Sequence, residues 1–274
     1  MEYVEFLRVR RVFTIFASLV MAIAIVVFAS IIYSSMNDTA NGHVSVSIGS
    51  TTHIEHIGFG TYFRTLKIPL GLLLGVASYV AIVFATILAS SLNKENDGLD
   101  YVFVKPIRRE TIAMRYLATD IVAIFAIFTF VVVVLELVPL AVSHVLDRIV
   151  VDTQSFWVGG LGLGVAFMWY GILQAVTATY RGKGGTIVGL SWGVFGVLVG
   201  IGSFTMLGPV VLGIVHVLNL VNPIAYFSGI LNHGDMYEID SVLGIPLERR
   251  ACIVWVIAFT GMAVATLSWK RVEA

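Results

Sequence analysis

Residues 93–120 read NKENDGLDYVFVKPIRRETIAMRYLATD, a polar interruption between two long apolar runs. Ile68 to Leu92 precedes it without a single Asp, Glu, Lys or Arg, and another apolar run begins at Ile121. The interruption carries Lys94, Lys105, Arg108, Arg109 and Arg115, five of the seventeen basic residues of the chain. It therefore reads as a loop between two membrane-spanning helices, and its positive charge predicts a cytoplasmic location.

The loop has internal order. Glu95 and Asp97 precede the pair Gly98-Leu99, and a hydrophobic stretch runs from Tyr101 to Val104. Then come Lys105, Pro106, Ile107, Arg108, Arg109 and Glu110, with Arg115 five residues beyond the glutamate. Proline is tolerated at the first helical position because the missing N–H would be unpaired there anyway, and Glu110 in the first turn complements the helix dipole. A short helix starting at Pro106 is expected.

This run resembles the cytoplasmic loop between the second and third spans of type-2 ATP-binding-cassette (ABC-2) transporter permeases. That family's usual form is an acid, Gly-Thr-Leu, an apolar stretch, Pro-x-x-Arg and a later Lys. Here Leu99 follows Gly98 without the Thr, and Arg115 stands where Lys is commoner. Asn222-Pro223 before the last apolar run and the basic end Trp269-Lys270-Arg271 fit the same family. The resemblance implies a permease half of an exporter, working as a dimer with an identical or homologous second permease and two separate ATPase subunits. It also implies that the loop is a coupling helix, with Gly98, Tyr101, Pro106, Ile107, Arg108, Arg109, Glu110 and Arg115 at the ATPase contact. ATP and Mg would be bound by the partner.

Composition supports the membrane reading independently. With 58% hydrophobic residues, 12% charged residues and a mean hydropathy of +0.93, the chain is too apolar for a soluble domain and too long for one anchor. An all-α polytopic protein is expected, a single transmembrane permease domain over 1–274. The zero net charge gives no general attraction to nucleic acid. The lone Cys252 rules out an internal disulfide.

Working outward along the chain, Met1 to Arg11 reads as a short interfacial helix, with Tyr3, Phe6 and Leu7 on one face and Glu2, Glu5 and Arg8 largely on another. Spans are expected at 12–36, 68–92, 121–142, 156–180, 186–207 and 251–269. The first is too long for the apolar core of a signal peptide. Outer loops fall at 37–67, 143–155 and 208–250, with a short strand near residues 43–48. Thr186 to Val221 contains no Asp, Glu, Lys or Arg and would reach about 54 Å as one helix, longer than a bilayer core. Gly208-Pro209 is the natural break, so a re-entrant or interfacial helix is expected from Pro209 to Val221.

This layout places twelve of the seventeen basic residues inside, with both termini cytoplasmic. A seven-span rival extends the Pro209 segment through Leu231, and local charge barely separates the two; the family resemblance favours six. The expected location is a cytoplasmic membrane of prokaryotic type.

Residues that carry chemistry are sparse. No G-x-x-x-x-G-K-[ST] motif occurs, so ATP hydrolysis is not expected of this chain, nor any enzymatic activity or bound cofactor of its own. His53 and His56, with His43 on the same loop, form a weak candidate metal set; a solvated loop is the competing reading. Glu136 is the acid set deepest in an apolar run, which makes it a candidate for the transport pathway, against an interfacial carboxylate reached by water. Gly160 and Gly164, then Gly185, Gly189 and Gly193, recur four apart and line one helix face each, for helix packing or a dimer seam. Trp157, Trp255 and Trp269 fall near expected interfaces, while Trp169 and Trp192 fall deeper.

An apolar or amphipathic cargo (a lipid, a drug or a peptide) moved outward fits spans with so little charge. The alternative from another class is a channel or integral membrane enzyme that needs no ATPase.

Overall fold

The computed structural model describes residues 2–38, 68–94, 109–143, 149–150, 153–179, 184–202, 208–226 and 247–271. These are almost entirely helical. In chain order the helices are α1 (Glu2–Asp38), α2 (Leu70–Lys94), α3 (Arg109–Ser143), α4 (Thr153–Thr179), α5 (Gly184–Gly202), α6 (Pro209–Asn219) and α7 (Leu247–Arg271). The two strands, β1 (Ile68–Pro69) and β2 (Ile149–Val150), pair in parallel just ahead of α2 and α4.

Five helices, α1 to α4 and α7, are long and apolar enough to cross a membrane. The chain is an integral, multi-pass membrane protein. Helix is the form in which an apolar segment can pair all its backbone groups internally, and the hydroxyls on these helices follow the same logic. Thr86, Thr119, Thr129, Thr177 and Thr260 each donate to the carbonyl four residues earlier, so none leaves a donor facing hydrocarbon.

Two helices overrun their expected spans. α1 continues without a break from Glu2 to Asp38, so the separate interfacial helix over residues 1–11 is corrected to the first turns of the first span. α3 starts at Arg109 and runs through Asp120 into the bilayer segment, so Arg109, Glu110 and Arg115 belong to one long helix. A helix start at Pro106 lies outside the described residues, as does the strand near 43–48.

The 36-residue uncharged stretch is divided between two helices. α5 ends at Gly202, and α6 begins at Pro209 with Gly208 as its N-cap and Leu212 N–H donating to the Gly208 carbonyl at 3.1 Å. α5 is shorter in apolar length than the five spans. After α6 the chain turns at Leu220 and Val221, and Asn222 caps a last helical turn at 223–226 by accepting the Ile224 N–H at 3.0 Å. Pro223 follows that cap at the position where its missing N–H costs nothing.

α4 sits at the centre. Val165, Ala166, Met168, Trp169 and Tyr170 on it are fully buried, and it packs mainly against α7 and α2. Glycines let these backbones approach. A Cβ at Gly171 would stand 3.1 Å from the Met262 nitrogen, one at Gly261 would stand 3.3 Å from the Gly171 carbonyl carbon, and one at Gly162 would collide with the Ser78 hydroxyl. α1 is peripheral by contrast: of its described side chains, Arg8, Val9 and Ala24 are buried.

Side-chain bonds fix the direction of each helix. Arg8 near the start of α1 meets Leu88 near the end of α2, Asp120 in the first third of α3 and Tyr170 in the second half of α4 through shared contacts. Thr266 near the end of α7 reaches Met114 near the start of α3. The start of α1, the end of α2, the start of α3, the end of α4 and the end of α7 thus share one end of the bundle, called the charged end below.

Candidate functional site

The polar centre of the molecule is a group that joins α1, α2, α3 and α4. On α3 one line of buried positions runs Leu117, Asp120, Ile124, Ile127, Val131 and Val134, spaced three and four apart, flanked by buried Tyr116, Ala123 and Phe128. Asp120 therefore occupies a core position in an otherwise apolar stripe, and α3's helical register leaves its side chain facing inward. Arg8 holds the equivalent place on α1, in line with the half-buried Val12, Phe16 and Val20 and with buried Ala24.

Arg8 Nη2 donates to Asp120 Oδ1 at 2.5 Å, and Arg8 Nη1 donates to the Leu88 carbonyl at 3.3 Å. The Tyr170 hydroxyl donates to Asp120 Oδ2 at 2.6 Å. Tyr116, one turn before Asp120, places its ring 5.4 Å from the Arg8 guanidinium carbon, and Gln174 lies one turn beyond Tyr170 on α4. Arg8 is 6% exposed, Asp120 and Tyr170 are fully buried, and Gln174 is 1% exposed. Both oxygens of Asp120 are thus engaged, which a carboxylate removed from water requires.

Beside this group, Trp169 donates its indole N–H to Thr86 at 2.9 Å and takes Trp192 and Phe195 edge-on at 5.2 and 5.3 Å. Above it, Phe13 and Phe16 of α1 pack against Phe84 of α2, and Phe13 also against Phe130 of α3.

A second polar group closes the α5–α6 region. The Asn222 amide donates to the Phe195 carbonyl and to Asn219 Oδ1, each at 2.9 Å, and Tyr226 donates to the Leu220 carbonyl at 2.8 Å. Phe195 lies seven residues before the end of α5, so α6 carries the chain back alongside that helix. Burial pushes the Tyr226 hydroxyl up to about 12, with the Arg250 charge opposing, so the phenol stays a donor. Arg250 itself is buried in the first turn of α7.

The residues expected from the sequence fall as follows. Gly98, Tyr101, Pro106, Ile107 and Arg108 lie outside the described residues, as do His43, His53 and His56. Arg109 and Glu110 open α3, and Arg115 is exposed on it at the charged end. Glu136 is half-buried near the opposite end of α3. Among the described residues no group of three or more His, Cys, Asp and Glu could hold a metal ion.

The expected glycine faces differ. A Cβ at Gly164 would stand 3.1 Å from Trp255 Nε1 and Val254 Cγ1, and the Gly160 carbonyl accepts the Trp255 indole N–H at 3.0 Å. At Gly185, Gly189 and Gly193 a Cβ would meet nothing within 4 Å among the described residues. The sequence gives Arg8 only as part of an interfacial face and Asp120 only as the end of the loop, and it assigns Tyr170 no role. At Arg8 and Asp120 the available signal is a charged residue in phase with an apolar stripe.

Comparisons with protein families, with curated proteins and with solved structures find no match for this chain.

Proposed function

We propose that this chain is the membrane-spanning permease subunit of an ABC-2-type exporter. The support is the pattern of residues 93–120 taken together with one geometric fact: the ends of α2 and α3 that flank this stretch lie at the same end as the start of α1 and the ends of α4 and α7. That arrangement fits six crossings, with α5 and the returning α6 completing the outward leg, and both chain ends on the cytoplasmic face of a prokaryotic-type membrane.

In this reading an ATPase dimer carries ATP and Mg and closes on the loop. From Arg109 to Asp120 α3 is unbroken helix, about 16 Å at roughly 1.5 Å per residue, stiff enough to carry a push from the loop into the bundle. The bundle then switches access from one face to the other. Spans with so little charge favour a lipid, hydrophobic drug or amphipathic peptide as cargo, and an identical or homologous permease completes the pathway.

The test is the double variant Tyr101→Ala with Arg109→Glu. Aromatic and arginine anchors carry most interface energy, so copurification with the ATPase should be lost and transport-coupled ATP hydrolysis should fall. Unchanged association and coupling in a normally inserted variant would sink the exporter reading. Topology has its own check: cysteines at Met1, in the 93–120 loop, at Arg181 and at Ala274 should all resist a membrane-impermeant reagent applied to intact cells.

A further inference from the structure

We propose that α1 is a detachable span, latched to the bundle by the Arg8–Asp120 ion pair, and that breaking the pair lets α1 move away from α3. The inference concerns the bundle alone and stands whether or not an ATPase docks.

Three observations carry it. First, α1 is the least enclosed of the five spans: its apolar stretch exposes Ile15, Leu19, Ile23, Ile25 and Val26 by more than half, whereas most of the α4 stretch is interior. Second, among the described side chains of α1 the buried polar one is Arg8, six residues from the helix start, so the polar attachment lies at one end of a helix 37 residues long. Third, Asp120 keeps a second partner, Tyr170 of α4, that does not involve α1.

An ion pair is a short-range, directional contact. Arg8 near the helix start can swing its long side chain from Asp120 to water, while Asp120 stays hydrogen-bonded to Tyr170 and α3 stays on α4. Between the two states α1 also gives up the Arg8 bond to the Leu88 carbonyl and its place over the Tyr116 ring. What remains is apolar, Val9 and the edges of Phe13 and Phe16 on Phe84 and Phe130, which lipid chains can replace. Release therefore opens an aromatic seam between α1, α2 and α3 to the bilayer, a lateral entrance suited to an apolar or amphipathic molecule.

The experiment uses the full chain, with Cys252 replaced by Ser, reconstituted in lipid nanodiscs. Spin labels at exposed Leu19 and Phe259 report α1 against α7, and labels at exposed Val83 and Phe259 report α2 against α7. In Arg8→Ala and in Asp120→Asn the first distance distribution should at least double in width, and the second should keep the native width. A narrow Leu19–Phe259 distribution in either variant overturns the latch. Broadening of both pairs together also overturns it, since the ion pair would then be a strut of the whole bundle.

Discussion

The α4–α7 seam and the α1–α3 contact hold spans together by opposite means. At the first, backbones approach through Gly164, Gly171 and Gly261 in close van der Waals contact, alongside the Trp255 indole hydrogen bond to the Gly160 carbonyl. At the second, one buried ion pair fixes one end of a helix whose flank otherwise faces lipid. Lipid tails are as apolar as the side chains, so burial alone cannot drive association in a membrane. Close packing and polar pairing must do it, and the glycine crossing leads at the first contact while the ion pair leads at the second. A close-packed seam fails when anything is added to it. A polar pin fails when one partner is taken away.

The largest effect is expected where the seam is tightest. Gly171→Val places a branched side chain against the Met262 and Gly261 backbone, where even a Cβ stands at 3.1 Å. Neither backbone can retreat without parting the helices, so the loss should be about 3 kcal/mol, the upper part of the overpacking range. Unfolding in detergent micelles titrated with a denaturing detergent would measure it. A loss below about 1 kcal/mol would mean that the seam is more compliant than its distances imply.

Asp120→Asn attacks the pin. The amide can still accept from Tyr170, but the charge facing Arg8 is gone, and a cost of about 1–3 kcal/mol follows from a weakened buried hydrogen bond to a charged group. The same titration applies. Should this loss exceed that of Gly171→Val, the ranking of seam over pin is reversed and α1 is part of the core.

These two sites also mark what the sequence could and could not yield. The five long apolar helices lie where the sequence has long apolar runs, and α1 and α3 extend past those runs into charged sequence. The two-faced pattern of Met1 to Arg11, with Glu2, Glu5 and Arg8 opposite Tyr3, Phe6 and Leu7, points to an interfacial helix, yet Arg8 is buried against its partner. Asp120 lay in plain register with Leu117, Ile124 and Ile127, and phase alone marked it as inward. Its partners did not follow, since Arg8 and Tyr170 are 112 and 50 residues away and pairing at that range is set by how the helices pack. Gly171 and Gly261 gave no signal, because a crossing needs only one glycine on each helix and makes no repeat.

A smaller effect tests the link between the two sides. Trp169→Phe removes the indole N–H that Thr86 accepts at 2.9 Å but keeps most of the ring against Trp192 and Phe195. A net loss of about 1 kcal/mol is expected, the ordinary worth of one hydrogen bond, because the Thr86 hydroxyl retains its own bond to the Ile82 carbonyl. The Trp emission spectrum gives a second readout in the same titration.

The smallest effect should have the opposite sign. Gly164 on α4 and Gly189 on α5 belong to the same four-residue spacing in the sequence, yet only the first meets a neighbour. Gly164→Ala pushes a methyl into Trp255 and Val254, so it destabilises unless those side chains shift by a few tenths of an ångström. At Gly189 the methyl meets nothing within 4 Å among the described residues, and the backbone freedom that glycine must give up in a helix is reduced, so Gly189→Ala should stabilise the purified single chain by at most about 1 kcal/mol. Comparing both alanine variants in one denaturation series isolates the environment from the substitution. If Gly189→Ala instead destabilises, and does so only when the protein is concentrated enough to associate, another backbone lies along α5 in the assembled protein and the glycine face there is a seam between chains.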